Sequence, residues 1–161
     1  PHATLRRQRQ MCIRDRLIAE SLGKKGKGLM PIISSAPKDH HSALQLYLDG
    51  PKDKLFHIFS LEENTKKKIN IKKVSKHTNY LHNKDLFEIR NAQKEALIKT
   101  LKKNKIPFRE LKIKKCDEET LGQLFSYFIL EISIVGKILG INPFDQPAVE
   151  QVKKFTKIIL N

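Results

Sequence analysis

The sequence predicts an α/β domain, a mostly parallel sheet flanked by helices with one further helix at the C-terminus. Three observations lead there. Short apolar or alternating runs of strand length occur at Leu29–Pro37, Lys54–Leu61 and Phe108–Ile113. Between and after them, apolar residues return at helical spacing, with a capping residue in front and glycine or proline behind. The two patterns alternate along the chain, as they do where helical crossovers join parallel strands. A length of 161 residues gives room for one ordinary core.

The elements follow in order. Residues 1–16, PHATLRRQRQMCIRDR, have no sustained apolar period, and they hold five of the seven arginines against one acid. All 25 lysines come later. Residues 1–16 are therefore expected to be foreign to the fold, with the domain occupying residues 17–161. LIAESLGKKGKGL reads as the end of a helix running into a flexible lysine-rich loop. After the first strand, DHHSALQLYLDGP offers Asp39 or Ser42 as helix cap and Asp49-Gly50-Pro51 as stop, so strand, helix, strand is the simplest reading. Thr65–His77 is a lysine run expected to be a solvated loop or edge ribbon. From Asp85, a plausible N-cap, Leu86, Ile89, Ala96, Leu97 and Leu101 share one helical face. Pro107 ends that connection, and the third strand follows. Asp117 caps a long helix whose apolar residues wrap most of its circumference as far as Gly140, so it is expected to be central and buried. Pro147 opens the last helix, which runs to Ile159.

The longest apolar region, Leu121–Leu139, is interrupted by Gln123, Ser126, Glu131, Ser133 and Lys137, each costly in the middle of a bilayer. A soluble helix is expected and no membrane partner. Two cysteines, Cys12 and Cys116, are too few for a disulfide framework, which fits a reducing cytoplasm. The net charge of +15 would attract phosphate backbones whatever the protein's role. Lysine, isoleucine and asparagine bias is the simpler source of that charge, and no nucleic-acid partner is expected. An RNA-binding module would need aromatic side chains among its lysines, and Thr65–Lys76 contains none.

Three segments carry chemistry. GKILGINPFDQPAVEQVK, Gly136–Lys153, resembles the C-terminal signature of the glucose-6-phosphate isomerase family, with alanine at 148 and valine at 152 where that family usually has glycine. SAPKDHHSALQLYLDGP resembles the family's Asp-x-His-Ser pattern, and AESLGK its Met-Glu-Ser-x-Gly-Lys. The resemblance implies catalytic roles for Glu20 as base, His41 as the ring-opening histidine and Lys153 near the ring oxygen, with Gln146 binding substrate. A histidine suits proton transfer in both directions because its ordinary pKa lies near neutrality. Without the resemblance, Gln146 would read as a helix cap, Lys153 as a surface lysine and His40-His41 as capping or surface residues. The adjacent histidines lack a third ligand at metal-binding spacing, so no metal is expected.

The resemblance further implies the second of two sugar-isomerase domains with its C-terminal helix. It also implies aldose–ketose isomerisation of a sugar-phosphate substrate with no cofactor, and a homodimer in the full-length form. The family's phosphate-binding serine and threonine groups belong to the first domain, so this chain alone is expected to be inactive. A non-catalytic sugar-phosphate-binding domain of the same fold is the main alternative. Such a domain need not keep Glu20, His41, Gln146 and Lys153 together.

Overall fold

The computed structural model describes residues 13–62, 80–81 and 84–160. The lysine run expected as a loop at Thr65–His77 and residues 1–12 of the N-terminal segment lie outside the described residues. The chain divides into two compact units, residues 34–116 and the combined stretches 1–33 and 117–161. The first helix, α1 (13–22), belongs to the discontinuous unit.

The continuous unit holds α2 (Lys38–Ser42), α3 (Leu44–Asp49), β1 (Phe56–Leu61), α4 (Leu86–Lys103) and β2 (Phe108–Ile113). The strands β1 and β2 are parallel, with Phe56 opposite Phe108 and Leu61 opposite Ile113. Parallel neighbours need a long crossover, and α4 supplies it. Ile98, Leu101 and Ile106 form the buried centre of this unit, and Leu101 is 0% exposed. The two sheet faces carry different polar pairs. On one, Ser60 donates to Glu110 Oε1 at 2.7 Å, and the Lys94 ammonium from α4 lies 2.9 Å from the same oxygen. On the other, Arg109 donates from Nε to His57 Nδ1 at 3.3 Å, across one rung of the register. Burial pulls the Glu110 carboxyl up, but Lys94 and Ser60 outweigh it and hold it below the ordinary carboxylate range.

Local chemistry explains where α4 starts. Asp85 accepts from the Glu88 N–H at 2.6 Å, and Glu88 accepts in return from the Asp85 N–H at 2.9 Å, so both halves of a capping box are made. Asp85→Ala should therefore lower stability by about 1 kcal/mol. Urea denaturation should show an earlier midpoint with an unchanged slope, and an unaltered midpoint would remove the cap's role.

The discontinuous unit holds α1 together with α5 (Glu118–Leu139) and α6 (Pro147–Leu160). Its core joins Ile18 and Leu22 of α1 to Ile132 of α5 and to Ile141, with Leu17, Val135 and Leu139 packed around them. The helix α1 runs across the expected boundary at residue 16, and Arg14 is buried with its guanidinium 5.1 Å from the centre of the Phe128 ring. Asp117 caps α5 by accepting from the Thr120 N–H at 3.0 Å. Gly140 ends it in the left-handed region at φ 67°, and the Ile141 N–H returns to the Gly136 carbonyl at 3.0 Å, closing a Schellman-type turn. Gly136 itself faces Pro143, whose ring atoms stand 3.1 Å from where a Cβ would be. The bare backbone lets the chain fold back there against α5.

Three sequence expectations are corrected. Residues 29–35 form no strand, and Met30 is 86% exposed. Pro31 and Pro37 interrupt the ladder a strand would need, and no strand among the described residues pairs with this stretch. The single helix predicted between its cap at Asp39 or Ser42 and its stop at Asp49-Gly50-Pro51 is two short ones broken at Ala43, with neither Asp39 nor Ser42 as side-chain cap; Asp39 instead accepts from the Ser35 N–H at 2.5 Å. The helix α5 is not buried all round. Phe128, Ile132 and Gly136 are buried, spaced by four residues on one stripe, while Ile129, Leu130, Ile134 and Ile138 are exposed. A helix with apolar residues on every side needs cover on every side, and α1 with the 140–147 connection covers one stripe. By length and composition α5 could cross a membrane, but Gln123, Ser126, Glu131, Ser133 and Lys137 would all have to enter the bilayer with it.

Candidate functional site

The end of α1 and the start of α6 meet at a cavity of about 440 Å³ within the discontinuous unit. Glu20, on the last turn of α1, lines it. So does Gln146, immediately before Pro147 opens α6. The two residues are far apart in sequence, and the packing of α1 on α5 brings them together. A carboxylate and a carboxamide on one partly enclosed surface can respectively accept a proton and bond a polyhydroxyl ligand.

Lys24 lines the same cavity. Its ammonium donates to the Asn142 carbonyl at 2.5 Å and lies 2.9 Å from Asp145 Oδ1, with the Lys24 side chain 8% exposed and that of Asp145 53%. Lys27 reaches back to the Leu139 carbonyl at 2.6 Å, one of the carbonyls left open at the end of α5. The lysine-rich loop expected to be flexible thus sends two of its lysines to the α5–α6 connection. Nothing in a run of lysines and glycines distinguishes a buried lysine from exposed ones. The available signal was position, since Lys24 and Asp145 each lie inside a family motif, beside a residue assigned a role.

The Lys24 hydrogen bond holds the Asp145 carboxyl below its ordinary value. Its folded pKa is therefore lower than its unfolded one, so the pair contributes at pH above the ordinary carboxylate value of about 3.9 and is lost as pH falls through the depressed folded value. Backbone amide shifts of Asn142, Phe144 and Gln146 are expected to titrate with a midpoint below that value. A midpoint at the ordinary value would mean that the pair does not form.

The other expected site residues stand elsewhere. Lys153, on α6, is not among the residues that line this cavity and is exposed, with its Nζ 2.6 Å from Glu150 Oε1 on the same helix. It borders a shallow apolar groove with Val149, Val152 and Thr156. His41 is exposed on α2, in the continuous unit. The same unit carries a Ser34–Tyr47 hydroxyl pair at 2.8 Å and the edge of Tyr47 against Phe56, with ring centres 5.7 Å apart. Among the described residues, no three His, Cys, Asp or Glu side chains gather as metal ligands would.

A parallel strand pair joined through α4 and flanked by helices makes this an α/β domain of the sugar-isomerase type. Its fold is shared with the crystal structure of a hypothetical protein from Thermus thermophilus, at a TM-score of 0.78 and 28% identity over 91% of this chain and 37% of that one. The sequence is similar to the glucose-6-phosphate isomerase of Campylobacter jejuni, 39% identical over 150 residues, covering 90% of this chain and 37% of that protein. It is also similar to a probable glucose-6-phosphate isomerase of Methanococcus maripaludis, 37% identical over 86% of this chain and 31% of that protein. No family model matches. The sequence belongs with those of glucose-6-phosphate isomerases, as the counterpart of a fragment: the chain spans about a third of the length of the curated relatives it matches.

Proposed function

We propose that this chain carries part of the catalytic machinery of a cytoplasmic glucose-6-phosphate isomerase, which interconverts glucose 6-phosphate and fructose 6-phosphate. One observation supports it most: Glu20 and Gln146, each given a role by a different sequence motif, line the same cavity. In this reading the Glu20 carboxylate removes the proton from C2 of the opened aldose. The aldehyde oxygen takes up a proton to give the enediol, the C2 hydroxyl then gives one up, and the carbon-bound proton or one from solvent returns to C1, leaving the ketose. Gln146 bonds sugar hydroxyls and fixes which carbon faces Glu20. His41 and Lys153 handle the ring-opening proton, His41 from a neighbouring subunit of a homodimer. The phosphate is held by the part of the enzyme that this chain does not span, so the chain alone is inactive. No metal or organic cofactor takes part.

The test is a chimera in which residues 17–161 replace the matching third of the Campylobacter jejuni enzyme. Turnover in a coupled assay well above that of its Glu20→Gln variant supports the reading, and equal turnover overturns it. Substrate binding without turnover would favour the non-catalytic sugar-phosphate domain. In the same chimera, His41→Ala should slow conversion of cyclic substrate more than conversion of an analogue locked open, by about 10² or more. Equal loss on both would remove the ring-opening role.

A further inference from the structure

We propose that Lys24 is a positioning residue, holding Gln146 in a fixed place opposite Glu20 by anchoring the loop between α5 and α6 through Asp145 and Asn142. The inference rests on the reading of the cavity as the isomerase site. An ammonium drawn out of water must find partners. Both partners of Lys24 come from one four-residue stretch, Asn142 and Asp145, so a single side chain fixes that stretch at two points. The stretch is further tied by the Phe144 N–H, which donates to Asn142 Oδ1 at 3.0 Å. Gln146 is the next residue. On the other side, the chain from Glu20 to Lys24 is short and internally bonded, with the Gly23 N–H on the Ala19 carbonyl at 3.2 Å and the Lys24 N–H on the Leu22 carbonyl at 2.9 Å. The separation of carboxylate and carboxamide across the cavity is therefore set through the Lys24 ammonium. Lys24 also lines the cavity wall, and the partners of its ammonium are Asn142 and Asp145.

Lys27 supplies an internal control. It is three residues along the same loop and tethers it to the same helix end, but at Leu139, away from the stretch that carries Gln146. A loop-stapling role would make the two lysines equivalent, whereas positioning makes them different.

The experiment has two arms. In the first, amide hydrogen exchange is measured on the 161-residue chain carrying Lys24→Met, Lys24→Arg or Lys27→Met. Lys24→Met is expected to raise exchange at residues 144–150 by about tenfold or more while α1 and α5 keep their protection. Lys27→Met should leave residues 144–150 unchanged. In the second arm the same substitutions enter the chimera. Lys24→Met should lower kcat by roughly 10² with a much smaller change in KM, because a misplaced ligand costs orientation more than binding. Lys24→Arg, which keeps the charge and the donors, should restore most of that loss. Equal kcat losses for Lys24→Met and Lys27→Met, or no loss for either, would overturn the proposal. A chimera whose turnover survives Glu20→Gln would overturn the site reading instead. The exchange arm then decides the positioning claim, and unchanged exchange at residues 144–150 in Lys24→Met would reject it.

Discussion

Glu20→Gln, placed in the active chimera, should cut proton exchange between substrate and solvent by about 10² to 10⁴, the range for loss of a general base. Glutamine keeps the side chain's shape and removes its ability to accept a proton. Sugar-phosphate binding should stay nearly unchanged, since the proposed site holds the phosphate outside this segment, so kcat falls and KM does not rise. Glu20→Asp is expected to be slow as well. Withdrawing the carboxylate by one methylene keeps its chemistry and misplaces it, and small misplacements can cost about 10² in rate. The pair of variants separates basicity from position. If Glu20→Gln retained near-normal exchange, the base would have to lie elsewhere in the enzyme.

Leu101→Ala should be the most damaging substitution for stability in the continuous unit. Leu101 is the fully buried side chain there among the described residues, placed where α4 ends and the chain turns towards β2. The Ile106 N–H also donates to the Leu101 carbonyl at 3.0 Å, so the residue anchors both the core and the turn. Truncation at such a site costs about 2 to 5 kcal/mol, depending on how far the surroundings collapse. Calorimetry on the full chain should show a marked fall in Tm, and Leu101→Met, which nearly conserves volume, should recover most of it. A loss under about 1 kcal/mol would mean that α4 is loosely packed.

The features legible in the sequence were those set by local chemistry. Asp85 and Asp117 announce their helices because a side-chain acceptor for free N–H groups works within three residues. Gly140 marks a stop because few other residues take a left-handed turn cheaply. The strands β1 and β2 were readable from alternation and from the helix between them. What failed depended on partners. Leu29–Pro37 has the composition of a strand, but a strand exists only beside another. The apolar circumference of α5 says what would benefit from burial and is silent on what covers it. The site shows the same division. Glu20, His41, Gln146 and Lys153 were picked out by motif, yet only the structure shows which of them share a cavity. The buried contact of Lys24 was invisible because the loop's course is set by a backbone turn, the Lys27 N–H on the Lys24 carbonyl at 2.9 Å with Lys25 at φ 53°, and a run of lysines does not announce it.

The discontinuity of one unit bears on how the protein is made. The helix α1 completes its core with residues more than a hundred positions later, as the Lys24–Asn142 contact across 118 residues illustrates. At about 5 to 20 residues per second, a ribosome needs on the order of ten seconds to supply those partners. Throughout that interval Ile18 and Leu22 await Ile132 and Ile141, while the whole of residues 34–116 is being made. Synthesis thus imposes an order, the inserted unit first and its frame second. Slowing translation after Cys116 should lengthen the exposure of α1 to chaperones and proteases without delaying the unit that holds the sheet.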